Sequence, residues 1–113
     1  MSLESQILDR AFAALSDPTR REIVMRLAEG EATVTELAKP FAISLPAVSK
    51  HIRVLERAGL IEQRRQAQRR PCRIVPNRLR EVTEWLEQYS ALWDARLDRL
   101  TAHLDEIQKR PKD

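Results

Sequence analysis

Cysteine occurs once in the 113 residues, at Cys72, so no disulfide can close within the chain and no thiolate cluster can hold a soft metal ion. Glycine occurs twice, at Gly30 and Gly59, which excludes a glycine-rich loop of the kind that cradles phosphate. No pairing of His with Cys or Ser points to a nucleophilic enzyme, so neither catalysis nor a cofactor finds support. No apolar run approaches the length that crosses a bilayer. The opening residues, Met1 to Ser5, lack the basic start and apolar stretch of a secretory signal, and a reducing cytoplasm is the expected location.

Leu, Ala, Glu, Gln and Arg dominate, which is a helix-forming composition, and the length suits one domain over 1–113. The net charge of +3 is small, but its distribution is uneven. Met1 to Ile43 carries −2, Ser44 to Arg80 carries +8, and Glu81 to Asp113 carries −3. One third of the chain therefore holds the whole excess, which suggests a polyanionic partner, nucleic acid before membrane. A solvated basic face is the competing reading.

Leu8, Ala11, Phe12 and Leu15 recur at three- and four-residue spacing and predict a first helix over Leu3–Leu15. Asp17 then caps a second helix, with Pro18 at its first position, where the missing N–H had no partner. Its apolar face is Ile23, Val24, Leu27 and Ala28, and it is expected to end at Gly30 in a left-handed conformation. Thr33, with Glu36 three residues on, predicts the cap of a short third helix that buries Val34, Leu37 and Ala38. Lys39-Pro40 ends it, since the residue before proline is pushed out of the helical region. Ser44 caps a fourth helix that runs to about Ala58, with Leu45, Val48, Ile52 and Leu55 inward and Gly59 as its stop.

Leu60 to Arg65 and Arg70 to Val75 then predict two short strands, with Pro71 on an edge or outside the ladder. A last helix starts at Pro76 or Asn77 and reaches about Ile107. Val82, Leu86, Tyr89, Trp93, Leu97, Leu100, Leu104 and Ile107 form its stripe. A domain this small cannot cover that stripe, so a partner helix is expected, most simply from a second copy. Trp85, Tyr89 and Trp93 lie four apart along one face and read as interface, with a ligand pocket as the alternative. The fold class is mostly α with a small β-hairpin. It is a winged helix-turn-helix, with the helix-turn-helix at 33–58, the wing at 60–75 and long helices at 1–15 and 77–107.

In such a motif the second helix lies in the DNA major groove. The apolar face of the fourth helix leaves Ala47, Ser49, Lys50, Arg53 and Arg57 elsewhere, with His51 beside them. Ser44, Ser49 and Lys50 lie near its N-terminal end, where backbone N–H groups and the helix dipole favour phosphate. Ala47 permits close approach to base edges, Lys and Arg can donate to guanine, and Ser can bond to base or phosphate. The hairpin supplies Arg64, Arg65, Arg69, Arg70 and Arg73. Strand alternation puts Arg64 and Arg65 on opposite faces, so not all five can touch one duplex. Arg69, at the tip, is placed for the minor groove or the backbone. A protein-docking module is the rival from another class, but it has no need to collect charge on these two elements.

Asp17-Pro18-Thr19-Arg20-Arg21, Thr35-Glu36-Leu37-Ala38, Ser44 through Leu55 and Ala58-Gly59-Leu60-Ile61 together resemble the ArsR/SmtB-like family of bacterial repressors. The resemblance spans about Phe12 to Val75. It implies a homodimer whose interface includes the first helix, through Leu8 and Phe12, and the long last helix. It implies repression from a partly palindromic double-stranded operator, with Ser44, Ala47, Ser49, Lys50 and Arg53 as recognition contacts and binding weakened by an effector. Two departures concern metal. The third helix has no cysteine, and on the last helix Arg96 stands two residues after Asp94, where a ligand would be wanted. His103 and Glu106 share a face but lack a complete ligand set, so no metal is expected. Arg70 and Arg73 flank Cys72 and could lower its pKa and make it redox-sensitive, although no resolving cysteine accompanies it.

Overall fold

The computed structural model describes residues 2–64 and 69–109, with the backbone alone at Trp93. The chain forms two compact units, Met1–Val82 and Thr83–Asp113. In the first unit α1 (Leu3–Leu15) begins at Ser2, whose side chain accepts from the Ser5 N–H. α2 (Pro18–Leu27) begins at Asp17, whose carboxylate accepts from the Arg20 N–H at 3.0 Å. Both helices start where the sequence placed them, and the Asp17 cap was readable because a side-chain cap is a local device. Gly30 does take a positive φ, +147°, but outside the left-handed helical region, and α2 ends three residues earlier at Leu27.

Two residues, β1 (Ala32–Thr33), precede α3 (Val34–Ala38). Thr33 Oγ1 accepts from the Glu36 N–H at 3.2 Å and donates to the Glu36 carboxylate at 3.1 Å. Lys39 keeps helical dihedrals, φ −51° and ψ −46°, although it precedes proline. The helix therefore stops because Pro40 has no N–H to donate, not because Lys39 leaves the helical region.

α4 (Leu45–Arg57) starts at Ser44, whose hydroxyl accepts from the Ala47 N–H at 3.3 Å. It ends in a Schellman turn: Leu60 N–H bonds to the Leu55 carbonyl at 3.0 Å and Gly59 N–H to the Glu56 carbonyl at 2.9 Å. Gly59 has φ +76°, and a Cβ there would lie 2.9 Å from Nε of Arg78, a buried atom without a hydrogen-bond partner. Val48, Ile52 and Leu55 are fully buried, but Leu45 is 47% exposed. Leu45 opens the helix at its free end, where no neighbouring element covers it.

β2 (Ile61–Gln63) and β3 (Pro71–Ile74) form the hairpin, shorter at both ends than the predicted strands. The sheet order is β1-β3-β2, antiparallel throughout, with Ile61 opposite Ile74, Glu62 opposite Arg73 and Ala32 opposite Cys72. Pro71 thus lies in the central strand, not on an edge. It is tolerated there as the first residue of β3, opposite Thr33, with its carbonyl accepting from Arg64 at 2.9 Å. Ile23, Leu37, Ile52, Leu55 and Leu60 centre the core, and Leu8, Phe12 and Leu15 of α1 pack against it.

α5 (Pro76–Lys109) leaves the first unit, where Val82 is buried, and makes up the described part of the second. In that second unit Leu86, Tyr89, Leu92, Leu97, Leu100, Leu104 and Ile107 are each 45–53% exposed. The Trp85 and Tyr89 rings stack with centroids 4.3 Å apart. Among the described residues no helix is long and apolar enough to cross a membrane.

Candidate nucleic-acid interface

Residues 49, 53 and 56 follow one another at helical spacing, so Ser49, Arg53 and Glu56 share one flank of α4. That flank, with Val34 of α3 and Gln63, Arg64 and Arg70 of the hairpin, lines an open groove of about 550 Å³. Gln63 donates to the Glu56 carboxylate at 2.8 Å, which ties β2 to the recognition helix. The side chains of Lys50, Arg53, Arg64 and Arg70 make no hydrogen bond or ion pair with any described residue, and all four residues are exposed. The groove is therefore edged by uncompensated cations, the arrangement a polyanion requires.

The other hairpin arginines are placed differently. Arg69 reaches back to the Glu36 carboxylate of α3 at 3.3 Å while staying largely exposed. Arg73 pairs with Glu62, the residue opposite it in the ladder. Arg65 lies outside the described residues, as does the side chain of Trp93. Of the remaining positions read from the sequence, Ser44 serves as the helix cap, and Ala47 and Ser49 are partly exposed beside it.

His51 turns toward the protein. Its Nδ1 accepts from Nη1 of Arg20 at 3.1 Å, since a guanidinium can only donate, and the Asp17 carboxylate stands 3.9 Å away. Arg20 also donates to the carbonyls of Ala14 at 2.6 Å and Ala13 at 3.3 Å. One side chain thus closes the end of α1 and holds the recognition helix. The Arg20 N–H donated to Asp17 keeps that carboxyl below its ordinary value, with smaller help from the charge of Arg20. Arg20 was visible in the sequence as part of a motif, but its reach to α4 crosses 31 positions and leaves no periodic signal.

Cys72 sits in the central strand with no exposed surface. Burial, and secondarily the negative charge of Glu56, pushes its thiol up to about 11. The neighbouring arginines therefore do not activate it, and a low-pKa redox switch is overturned. Among the described residues no three His, Cys, Asp or Glu side chains meet in a way that could hold a metal ion.

A helix pair whose second member carries a polar outer face, backed by a basic hairpin, defines a winged helix-turn-helix protein. Residues 15–64 match a family described as a helix-turn-helix domain. An HTH-type transcriptional regulator of Mycobacterium tuberculosis is 43% identical over 72% of this chain and 76% of its own. The transcriptional repressor SdpR of Bacillus subtilis is 39% identical over 54% of this chain and 68% of its own. Among solved structures, an ArsR family transcriptional regulator superposes with a TM-score of 0.74 at 42% identity, over 83% of this chain and 97% of that one. A homodimeric winged helix-turn-helix DNA-binding domain from Mycobacterium bovis superposes at 0.61 with 25% identity, over 88% and 93%. The chain belongs to the ArsR/SmtB-like family of helix-turn-helix transcriptional regulators.

Proposed function

We propose that two copies of the chain bind one two-fold operator in the cytoplasm and repress an adjacent promoter, working by binding and not by catalysis. In this reading α4 enters the major groove with Ala47, Ser49, Lys50 and Arg53 toward base edges and Ser44 at its phosphate-facing end. Arg64, Arg65, Arg69 and Arg70 meet the backbone or minor groove beside it. His51 positions α4 through Arg20 and has its second ring nitrogen left for a contact. The observation that carries the reading is the groove between α4 and the hairpin, lined by Arg53, Arg64 and Arg70, whose side chains pair with no described residue.

The assembly is supported by the half-exposed stripe on α5, in which Tyr89, Leu97, Leu100 and Leu104 would meet the same stripe of a second copy, with Trp85 and Trp93 beside them. Leu8 and Phe12 extend the interface on α1. A homodimer places two recognition helices about 34 Å apart, one turn of DNA. The homodimeric relative from M. bovis and the repressor from B. subtilis support the same reading.

The test is binding to the DNA upstream of its own gene and to a scrambled duplex across a salt series. Each neutralised phosphate steepens the slope of log K against log salt by about 0.9, so eight cations in a dimer set a limit of about −7. Lys50→Ala and Arg53→Ala should each weaken specific binding by about tenfold or more, the dimer remaining intact. Equal weak binding to both duplexes, or wild-type affinity in both variants, would refute the assignment.

A further inference from the structure

On the other flank of α4 an open cleft of about 620 Å³ lies between α1, α2 and α4. Its floor is apolar, made by Ala13, Ala14, Val54 and Ala58. Val54 stays 37% exposed there, although it is a branched aliphatic residue. Its rim carries Arg10, Arg20 and Arg57, and no acidic side chain lines it. Arg20 is occupied by the carbonyls at the end of α1 and by His51. The guanidinium groups of Arg10 and Arg57 make no hydrogen bond or ion pair with any described residue.

We propose that this cleft binds a small organic carboxylate with an apolar body. The carboxylate is met by the guanidinium groups of Arg10 and Arg57, which match it in planar, two-pronged hydrogen bonds. The hydrocarbon lies over Val54 and the alanines, which removes the exposed apolar surface of Val54 and Ala13 from water. Sites of this kind combine a mainly apolar lining with a few polar groups that fix orientation, and the volume falls in their usual range. A DNA phosphate would satisfy the arginines equally but has no use for an apolar floor. One wall of the cleft is the recognition helix, so an occupant there sits where it can bias the position of α4. That consequence rests on the DNA-binding reading, whereas the binding itself does not.

The experiment is a titration of the full-length 15N-labelled chain, without DNA, followed by amide chemical shifts. Octanoate is the probe, and phosphate and chloride at matched ionic strength are the controls. Saturable shifts should centre on Ala13, Ala14, Val54 and Ala58 with octanoate and be absent with the inorganic anions. Arg10→Ala combined with Arg57→Ala should weaken binding by about tenfold or more. Val54→Glu, at an exposed position, should do the same by placing a like charge in the floor, and serves if the double variant fails to fold. No shift at millimolar octanoate, or an equal response to phosphate, overturns the proposal. So does loss of DNA affinity in the arginine variants of a protein that ignores octanoate, which would make the rim a backbone contact. Octanoate binding by a chain that shows no operator binding even without octanoate would instead count against the DNA assignment alone.

Discussion

Arg20→Ala removes one guanidinium that joins three helices. Its Nε and Nη2 close the carbonyls of Ala14 and Ala13, and its Nη1 holds His51 of α4. Carbonyls at a helix C-terminus have no partner within the helix, so those of α1 depend on such donors. Hydrogen bonds from a charged donor contribute about 1.5–3 kcal/mol each. Arg20 is only partly buried, so the low end applies, and Ala13 is exposed enough for water to replace its bond. The bonds to Ala14 and His51 then set an expected loss of roughly 2–3 kcal/mol. In a domain of this size that lowers Tm by about 8–15 °C. The assay is thermal and urea unfolding at one fixed protomer concentration, because self-association makes Tm depend on concentration. Arg20→Lys should retain most of the loss, since an ammonium cannot serve three acceptors in the guanidinium plane. A double-mutant cycle with His51→Ala should give a coupling of about 0.5–1.5 kcal/mol. A loss under about 0.5 kcal/mol with no coupling to His51 would refute the idea that Arg20 ties α1 to α4.

The buried Cys72 thiol should resist alkylation in the folded protein and react only as fast as the sheet opens. Its raised pKa means that the fold favours the neutral form. The stability from this group is complete below the ordinary thiol value of 9.0 and is lost as pH rises through about 11. Alkaline unfolding should therefore show a fall of about 2–3 kcal/mol across that window, and the fall should vanish in Cys72→Ala. An unchanged alkaline profile in the variant would show that the thiol is not the group responsible. On α5, Leu100→Asp places a charge in the centre of the apolar stripe and should give a monomer by sedimentation, with operator affinity reduced. A variant that still sediments as a dimer would place the interface elsewhere.

The helix starts were legible because each is written in adjacent residues: Asp17 before Pro18, Thr33 before Glu36, Ser44 three residues before Ala47. Gly59 was legible as a stop because its positive φ is a local requirement. β1 was not, because two residues carry no periodicity, and its partner Cys72 lies forty positions on. Once β1 is missed, Pro71 is assigned to an edge or to a place outside the ladder, whereas it opens the central strand. Strand alternation already implied that not all five hairpin arginines can touch one duplex, but it did not show that Glu36 and Glu62 engage Arg69 and Arg73. Glu62 could have been found from hairpin register, while Glu36 needed the tertiary fold. The exposed flank of α4 was readable from spacing, yet only the packing of the hairpin against it makes a groove.

The hairpin base is clamped on both sides, since β3 pairs with β1 and with β2 at once. A slip of one residue would set Arg73 where Ile74 now faces Ile61, so the base tolerates no insertion. Loop length is cheap by comparison: doubling a flexible loop costs in general only about 0.6 kcal/mol. Lineages carrying this architecture are thus free to lengthen or recharge the wing, and so to change which DNA flank it reaches, without rebuilding the sheet that holds it.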